Sequence, residues 1–262
     1  MSVLAPVRGP QRVYRVNPVA KIAALVPLSV GVLLSLDWLS ATVALVGEVV
    51  LFLAVGLRDR SLWLRTLPVW LAAPLAGLSM TLYGQASGAT YLQLGFVHVT
   101  EGSVAIGVAT LLRVLALALP AVVLFATIDP TDLADGLAQV VHLPSRFVLG
   151  ALAGLRLVGL FVRDWRSLEL ARRARGVADG GRLRRTLDQA VALLVLAIRR
   201  GGKLATAMEA RGFDGPTPRT WARPSPVGRA EVVTVACGVA LATASVVAAL
   251  LLGTWHPLLG LP

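Results

Sequence analysis

Long blocks of apolar residues constrain this chain more than any other feature of its sequence. A helix needs about 20 residues to cross a hydrocarbon core of roughly 30 Å, and several blocks in the 262 residues approach or exceed that length. Only 15% of the residues are charged, whereas a soluble domain has about 25%. The sequence therefore predicts an all-α, polytopic membrane protein with about five transmembrane helices. The five blocks cover residues 19–36, 39–57, 67–83, 103–128 and 232–252.

A shorter apolar run, residues 147–162, contains Arg156 and leads directly into charged sequence. It is either a sixth span or an amphipathic stretch that lies at the membrane surface. The charge inside the run favours the second interpretation.

Positive charge is concentrated in one part of the chain. Residues 163–229 hold 15 of the 25 Lys and Arg residues but only six Asp and Glu, whereas residues 84–102 hold neither Lys nor Arg, as expected of an exterior loop. Positive charge beside membrane spans marks the cytoplasmic side. We therefore expect a membrane region at 1–128 with four spans and a cytoplasmic N-terminus, a cytoplasmic region at 129–229, and a final span with an outside C-terminus at 230–262. The net charge of +11 then reflects topology and contact with membrane lipids rather than nucleic-acid binding.

The sequence lacks the residue sets that catalysis would require. The nearest approach to a phosphate-binding loop, Gly201-Gly202-Lys203-Leu204, has no Ser or Thr after its Lys, so the hydroxyl that binds Mg²⁺ is absent. The three histidines are scattered, and Cys237 is the only cysteine. We therefore expect no catalytic residues, no metal site, no cofactor and no ATP hydrolysis by this chain alone.

Two ionisable residues fall inside the predicted membrane helices. Glu48 lies in the second block and Arg113 in the fourth. Because ionisable groups are costly in lipid, each marks a functional site unless it has a partner. The expected arrangement is a polar pair of Glu48 with Arg113, or a polar seam that both residues face.

Proline and glycine divide the cytoplasmic region into helices. A first helix begins at Pro130 and extends to about His142, because Pro suits the first turn of a helix. Two long helices follow, at residues 145–176 and 182–212. Each has an apolar first part and a charged second part.

The ends of these two long helices form an internal repeat at an offset of 36 residues. Gly can adopt the left-handed conformation that ends a helix, Ala permits close approach, and the planar Arg fork can bind a carboxylate bidentately. Two equivalent ends of this kind predict two docking sites for other proteins, Ala174-Arg175-Gly176 and Ala210-Arg211-Gly212. The alternatives are ordinary capped helices with solvated arginines, or a patch that binds lipid headgroups. The identical pairs are Leu168/Leu204, Ala171/Ala207, Ala174/Ala210, Arg175/Arg211 and Gly176/Gly212.

At these residues the chain resembles the transmembrane T component of energy-coupling factor transporters, which import vitamins and nickel or cobalt into bacteria. The resemblance covers about residues 17–250, and its motifs follow the family's order. It rests on Asn17-Pro-Val-Ala-Lys21, Thr127-Ile-Asp-Pro-Thr-Asp-Leu-Ala-Asp-Gly-Leu137, Leu143-Pro144, Gly154-Leu-Arg-Leu157 and the two Ala-Arg-Gly ends.

The resemblance implies a coupling subunit rather than an enzyme. In that family each Ala-Arg-Gly end is seated in a groove of one of two ATP-binding cassette ATPase subunits, and a separate membrane protein, the S component, binds the substrate. The resemblance further implies a multi-pass protein of the bacterial plasma membrane. It would transmit the motion of the ATPases to the S component for uptake of a vitamin or a transition metal ion.

Three other interpretations stay open at this point. A conventional ABC permease docks on ATPases through a short loop and lines its own substrate path, which the paired helix ends disfavour. An intramembrane lipid-processing enzyme would use Glu48, Arg113 and the cytoplasmic acids, but no cluster of catalytic spacing supports it. A non-energised membrane scaffold would need neither ATPases nor a substrate.

Overall fold

The structure, a computed structural model, describes residues 12–34, 37–57, 60–84, 87–94, 97–176, 182–213, 215 and 220–254. These residues form a short 3-10 helix (Arg12–Arg15), eight α-helices and one β-hairpin, with the loops between them. The helices are α1 (Pro18–Leu34), α2 (Trp38–Ala54), α3 (Arg60–Tyr83), α4 (Glu101–Ala126), α5 (Pro130–Gln139), α6 (Ser145–Ala174), α7 (Arg182–Ala210) and α8 (Arg229–Leu251). The hairpin pairs β1 (Thr90–Leu94) with β2 (Val97–Thr100) in antiparallel fashion. The predicted all-α class is confirmed.

The helices also confirm a multi-pass membrane protein. Among the described residues, four helices are long and apolar enough to cross a membrane, namely α3, α4, α6 and α8. The apolar helices α1 and α2 have 17 residues each, at the lower end of the roughly 17–25 that a span requires. The five predicted blocks therefore correspond to α1, α2, α3, α4 and α8.

The apolar run at 147–162 lies inside the 30 residues of α6. It therefore continues as helix into the charged sequence that follows it. By length and composition α6 is sufficient for a sixth span, although the sequence pattern favoured a surface stretch.

Helix α3 begins earlier than its apolar block, at Arg60 instead of residue 67, and passes through Pro68 and Pro74 without ending. An apolar block marks only the part of a helix that lipid can surround, so a helix can begin outside the hydrocarbon layer. Pro is tolerated inside membrane helices because neighbouring groups satisfy the freed backbone positions.

The segment expected as an exterior loop, residues 84–102, carries the hairpin. Its strands pair Leu92 with Val99 and Leu94 with Val97. Both strands are rich in β-branched, aromatic and aliphatic residues, which favour extended structure. Strands this short do not stand out in an apolar pattern that is dominated by long helices.

Side-chain caps determine where two of the membrane helices begin. The Asp37 carboxylate accepts the Ser40 N–H at 2.7 Å, at the start of α2. At the start of α4, the Thr100 hydroxyl accepts the Ser103 N–H at 3.3 Å and the Ser103 hydroxyl accepts the Thr100 N–H at 2.9 Å. Such caps satisfy N–H groups that have no partner within the helix.

The chain divides into two compact units, Met1–Gly136 with Ser225–Pro262, and Leu137–Pro224. In the first unit α3 packs against α4, α1 packs against α8, and α2 contacts both α4 and α8. Small residues allow helices to approach closely in membranes. A Cβ added at Gly77 of α3 would lie 2.8 Å from the carbonyl oxygen of Gly107 in α4, so glycine is required at that contact.

Candidate functional site

The end of α6 has the conformation that the repeat predicts. The helix ends at Ala174. The Arg175 N–H donates to the Ala171 carbonyl oxygen at 3.2 Å, and the Gly176 N–H donates to the Arg173 carbonyl oxygen at 3.1 Å. Gly176 is left-handed, with φ of 67°, so it ends the helix as expected. We call Ala174-Arg175-Gly176 the first tip.

The end of α7 is similar, although its Arg N–H bonds three residues back instead of four. The helix ends at Ala210, the Arg211 N–H donates to the Met208 carbonyl oxygen at 3.1 Å, and the Gly212 N–H donates to the Glu209 carbonyl oxygen at 2.9 Å. Gly212 is left-handed as well, with φ of 73°. Ala210-Arg211-Gly212 is the second tip. The predicted left-handed glycines are therefore confirmed at both helix ends.

All six tip residues are exposed. Within the described ranges, neither the Arg175 nor the Arg211 guanidinium group has an ion pair or a hydrogen bond. Arg173, two positions before Arg175, pairs instead with Glu169 at 2.6 Å. Arg175 and Arg211 are thus available to bind an acidic group of another molecule.

The two long helices contact each other through an ion pair between Asp164 of α6 and Arg200 of α7. The second contact of this pair, from Arg200 Nη2 to Asp164 Oδ1, measures 3.2 Å. Asp164 and Arg200 are 36 residues apart, the offset of the repeat, so they occupy equivalent positions in the two helices. Each helix extends ten residues from this ion pair to its last residue, which is about 15 Å at 1.5 Å per residue. The two tips therefore terminate arms of equal length.

A second polar contact joins α6 to α7. The Gln189 side chain donates to the Trp165 carbonyl oxygen at 2.7 Å. Gln189 is 2% exposed, and a buried amide needs such a partner. The contact adds to the ion pair in holding the two helices together.

A groove of about 880 Å³ lies beside the second tip, within the Leu137–Pro224 unit. The first half of α6 and the end of α7 form it. Its lining combines apolar side chains with two arginines and other polar groups, so it can accept apolar side chains near an acidic group. Lining residues are Leu149, Leu152, Arg156, Leu157, Leu204, Met208, Arg211 and Phe213. The sequence pattern did not indicate this groove, because it arises only where α6 and α7 pack.

The structure does not bring Glu48 and Arg113 together. Arg113 donates to the Val32 carbonyl oxygen at 3.1 and 2.7 Å and to the Leu33 carbonyl oxygen at 2.9 Å. These oxygens lie at the end of α1, where helical carbonyl groups have no partner in their own helix. Glu48 is 2% exposed, and neither of its carboxylate oxygens has a hydrogen-bond partner among the described residues. The expected pair is not formed because Arg113 binds the end of α1 instead.

Sequence reasoning assigned no role to the polar residues at the start of α1. Asn17 is 8% exposed and Lys21 is 1% exposed. The Lys21 ammonium donates to the Thr127 hydroxyl at 2.9 Å and to the Thr127 carbonyl oxygen at 3.3 Å. The only signal in the sequence was the position of Asn17 and Lys21 within a motif of the resemblance.

Comparison with known proteins identifies the family. The sequence model of the family described as "CbiQ: Cobalt transport protein" matches residues 11–221. The chain belongs to the CbiQ family. The match includes α1 to α7 and both tips, and it confirms the resemblance to the T component of energy-coupling factor transporters.

Relatives of this CbiQ-family chain bear the name energy-coupling factor transporter transmembrane protein EcfT. The protein from Listeria innocua is 29% identical over 227 residues, which are 81% of this chain and 84% of the relative. The protein from Bacillus selenitireducens is 28% identical over 235 residues, with 82% and 84% covered. The protein from Bacillus subtilis is 32% identical over 145 residues, with 51% and 55% covered.

Proposed function

We propose that this chain is the coupling subunit of an energy-coupling factor importer in the bacterial plasma membrane. Two ATP-binding cassette ATPases would bind its tips, and a separate S component would bind the substrate, a vitamin or a transition metal ion. The observation that carries the proposal is the pair of equivalent tips. Each combines a left-handed Gly with an exposed Arg that has no partner among the described residues.

The chemistry of each tip suits a protein partner with an acidic pocket. The Arg fork binds a carboxylate through two parallel hydrogen bonds. The Ala before it leaves room for the partner's surface, and the Gly directs the chain away from the contact. Two copies suit two ATPase subunits.

The equal arms suit a mechanical role. When ATP closes the two ATPases, the tips move with them, and α6 and α7 transmit the motion towards the membrane helices. The S component then reorients and releases its substrate inside the cell. ATP hydrolysis takes place in the partner subunits, and this chain supplies contacts and leverage.

Two geometric observations support this role over its rivals. The paired helix ends differ from the short docking loop of a conventional permease. Glu48 and Arg113 do not meet, so an intramembrane enzyme loses the residue pair that it would use. A non-energised scaffold has no need of two matched tips.

Charge reversal at the tips tests the docking role. The variants Arg175→Glu, Arg211→Glu and the double variant are compared with Arg223→Glu, an exposed arginine outside the repeat. We expect each tip reversal to weaken ATPase binding by at least on the order of 2–5 kcal/mol, because the partner's acidic group loses its pair and then faces a like charge. The double variant should release both ATPases. Measurements are ATPase retention on the purified chain and substrate uptake at equal membrane expression.

The control reversal should cost only about 0–1 kcal/mol, as for a solvated surface charge. If the double variant still retained its ATPases and transported substrate at the normal rate, the docking role of the tips would be wrong.

A further inference from the structure

Asn17 lies beside the two points at which the chain leaves and re-enters its first compact unit. The chain leaves the first unit after Gly136 and re-enters it at Ser225. Asn17, Gly136 and Ser225 all belong to the first unit. Gly136 and Ser225 mark the outgoing and the returning connection of that unit.

Asn17 forms three hydrogen bonds with the returning connection and the first turn of α8. Its side-chain amide donates to the Ser225 hydroxyl at 2.8 Å and to the Pro226 carbonyl oxygen at 3.5 Å. Its backbone N–H donates to Glu231 Oε1 at 3.2 Å. The other Glu231 carboxylate oxygen accepts the Gly228 N–H at 2.8 Å, in front of α8. Asn17 therefore ties the start of α1 to the segment that leads into α8.

The outgoing connection packs against the same side chain. A Cβ added at Gly136 would lie 2.8 Å from Asn17 Oδ1 and 2.8 Å from a methyl group of Val19. Asn17 Oδ1 is itself held, because it accepts the Val19 N–H at 3.1 Å. Gly136 thus lies in α5 at a point where no larger residue fits without displacing Asn17 and Val19.

Lys21, one turn further along α1, makes a second attachment. Its bonds to Thr127 join α1 to the end of α4, just before α5 begins. The start of α1 therefore contacts the end of α4, the middle of α5 and the segment before α8. Along the chain, α5 leads on to α6, and the segment before α8 follows α7.

We propose that Asn17 is a positioning residue that clamps both connections, so that displacement of α6 and α7 moves α1, α4 and α8 instead of bending the connections. This inference rests on the proposed coupling function. The clamp consists of Asn17, Gly136 and Ser225. Asn17 also caps α1, and the clamp is a role separate from that cap.

The choice of variants separates the two roles. Asn17→Ser keeps a residue that caps helices about as well as Asn but removes the amide that reaches Ser225. Ser225→Ala removes the other side of that bond, and Gly136→Ala displaces Asn17. Matched controls are Ser167→Ala, which removes an exposed hydroxyl bonded within α6, and Gly159→Ala, where an added Cβ meets no atom within 4 Å.

The first measurement is hydrogen exchange of residues 225–232 in the purified chain, without partners. In each clamp variant we expect exchange to be about fivefold faster, as loss of one hydrogen bond predicts. The controls should match the unaltered chain. Unchanged exchange in all three clamp variants would show that no clamp exists. This measurement does not involve ATPases, so its outcome is independent of the proposed function.

The second measurement is substrate uptake per ATP hydrolysed, in the complex reconstituted with its two ATPases and S component. We expect the clamp variants to retain the ATPases and to hydrolyse ATP while uptake per ATP falls about fivefold. A role limited to stability would lower the amount of complex and leave this ratio unchanged. An unchanged ratio would therefore overturn the positioning role.

If the proposed function is wrong, the experiments on ATPase binding would give a different result. The unaltered chain would then fail to retain ATPases, and the Arg175 and Arg211 variants would behave like the unaltered chain. In that case the exchange result would still decide whether Asn17 holds the two connections, and the coupling role of the clamp would be excluded.

Discussion

The buried carboxyl group of Glu48 is expected to lower the stability of the folded chain. It is buried in α2 with both carboxylate oxygens unpaired among the described residues, and a buried polar group without a partner costs about 1–3 kcal/mol. We expect Glu48→Met, which keeps roughly the same volume and removes the polar atoms, to stabilise the purified chain by about that amount. The midpoint of thermal unfolding in detergent measures this, and it should rise.

Glu209→Met is the matched control for this substitution, since Glu209 is exposed and its replacement should leave the midpoint nearly unchanged. A fall in the midpoint for Glu48→Met would contradict the prediction, because it would mean that the carboxyl group has a stabilising partner.

An ion pair between Asp164 and Arg200 joins α6 to α7. Arg200 is 36% exposed and Asp164 is 17% exposed at the side chain, so solvent weakens the pair only in part. We expect Asp164→Asn or Arg200→Gln to weaken the contact between the helices by about 1–2 kcal/mol, between the values for exposed and for charged, partly buried bonds. Protection of α6 and α7 from hydrogen exchange should fall accordingly.

The double variant Asp164→Arg with Arg200→Asp, in which the two charges are exchanged, is the control for this ion pair. It should recover much of the protection that either single reversal loses, because the two charges still attract. No recovery in the reversed pair would mean that apolar packing, and not the ion pair, joins the two helices.

The whole molecule has a predicted orientation that single cysteines can test. In a Cys237→Ala background, Ser87→Cys lies in the segment without Lys or Arg, and Arg184→Cys lies in the most basic segment. Since positive charge stays in the cytoplasm, an impermeant thiol reagent applied to intact cells should label the first and not the second. Both should react in permeabilised cells. The opposite labelling pattern would place the tips outside the cell and exclude ATPase docking.

The sequence alone was enough to predict the membrane class, the five blocks, the two long helices and the left-handed glycines of the tips. These features are local. A span depends on one run of apolar residues, and a helix end depends on a Gly that follows the last turn. Helices α6 and α7 accordingly end within two residues of their predicted limits.

The tertiary structure decided the partners of the polar residues. Arg113 binds Val32, 81 positions away in the chain, instead of Glu48, and Asn17 binds Ser225, 208 positions away. The groove beside the second tip likewise exists only where α6 and α7 meet. Hydrogen bonds of this kind depend on which helix faces are brought within about 3 Å of each other. That distance is determined by the packing of the whole chain, and periodicity within one helix carries no information about it.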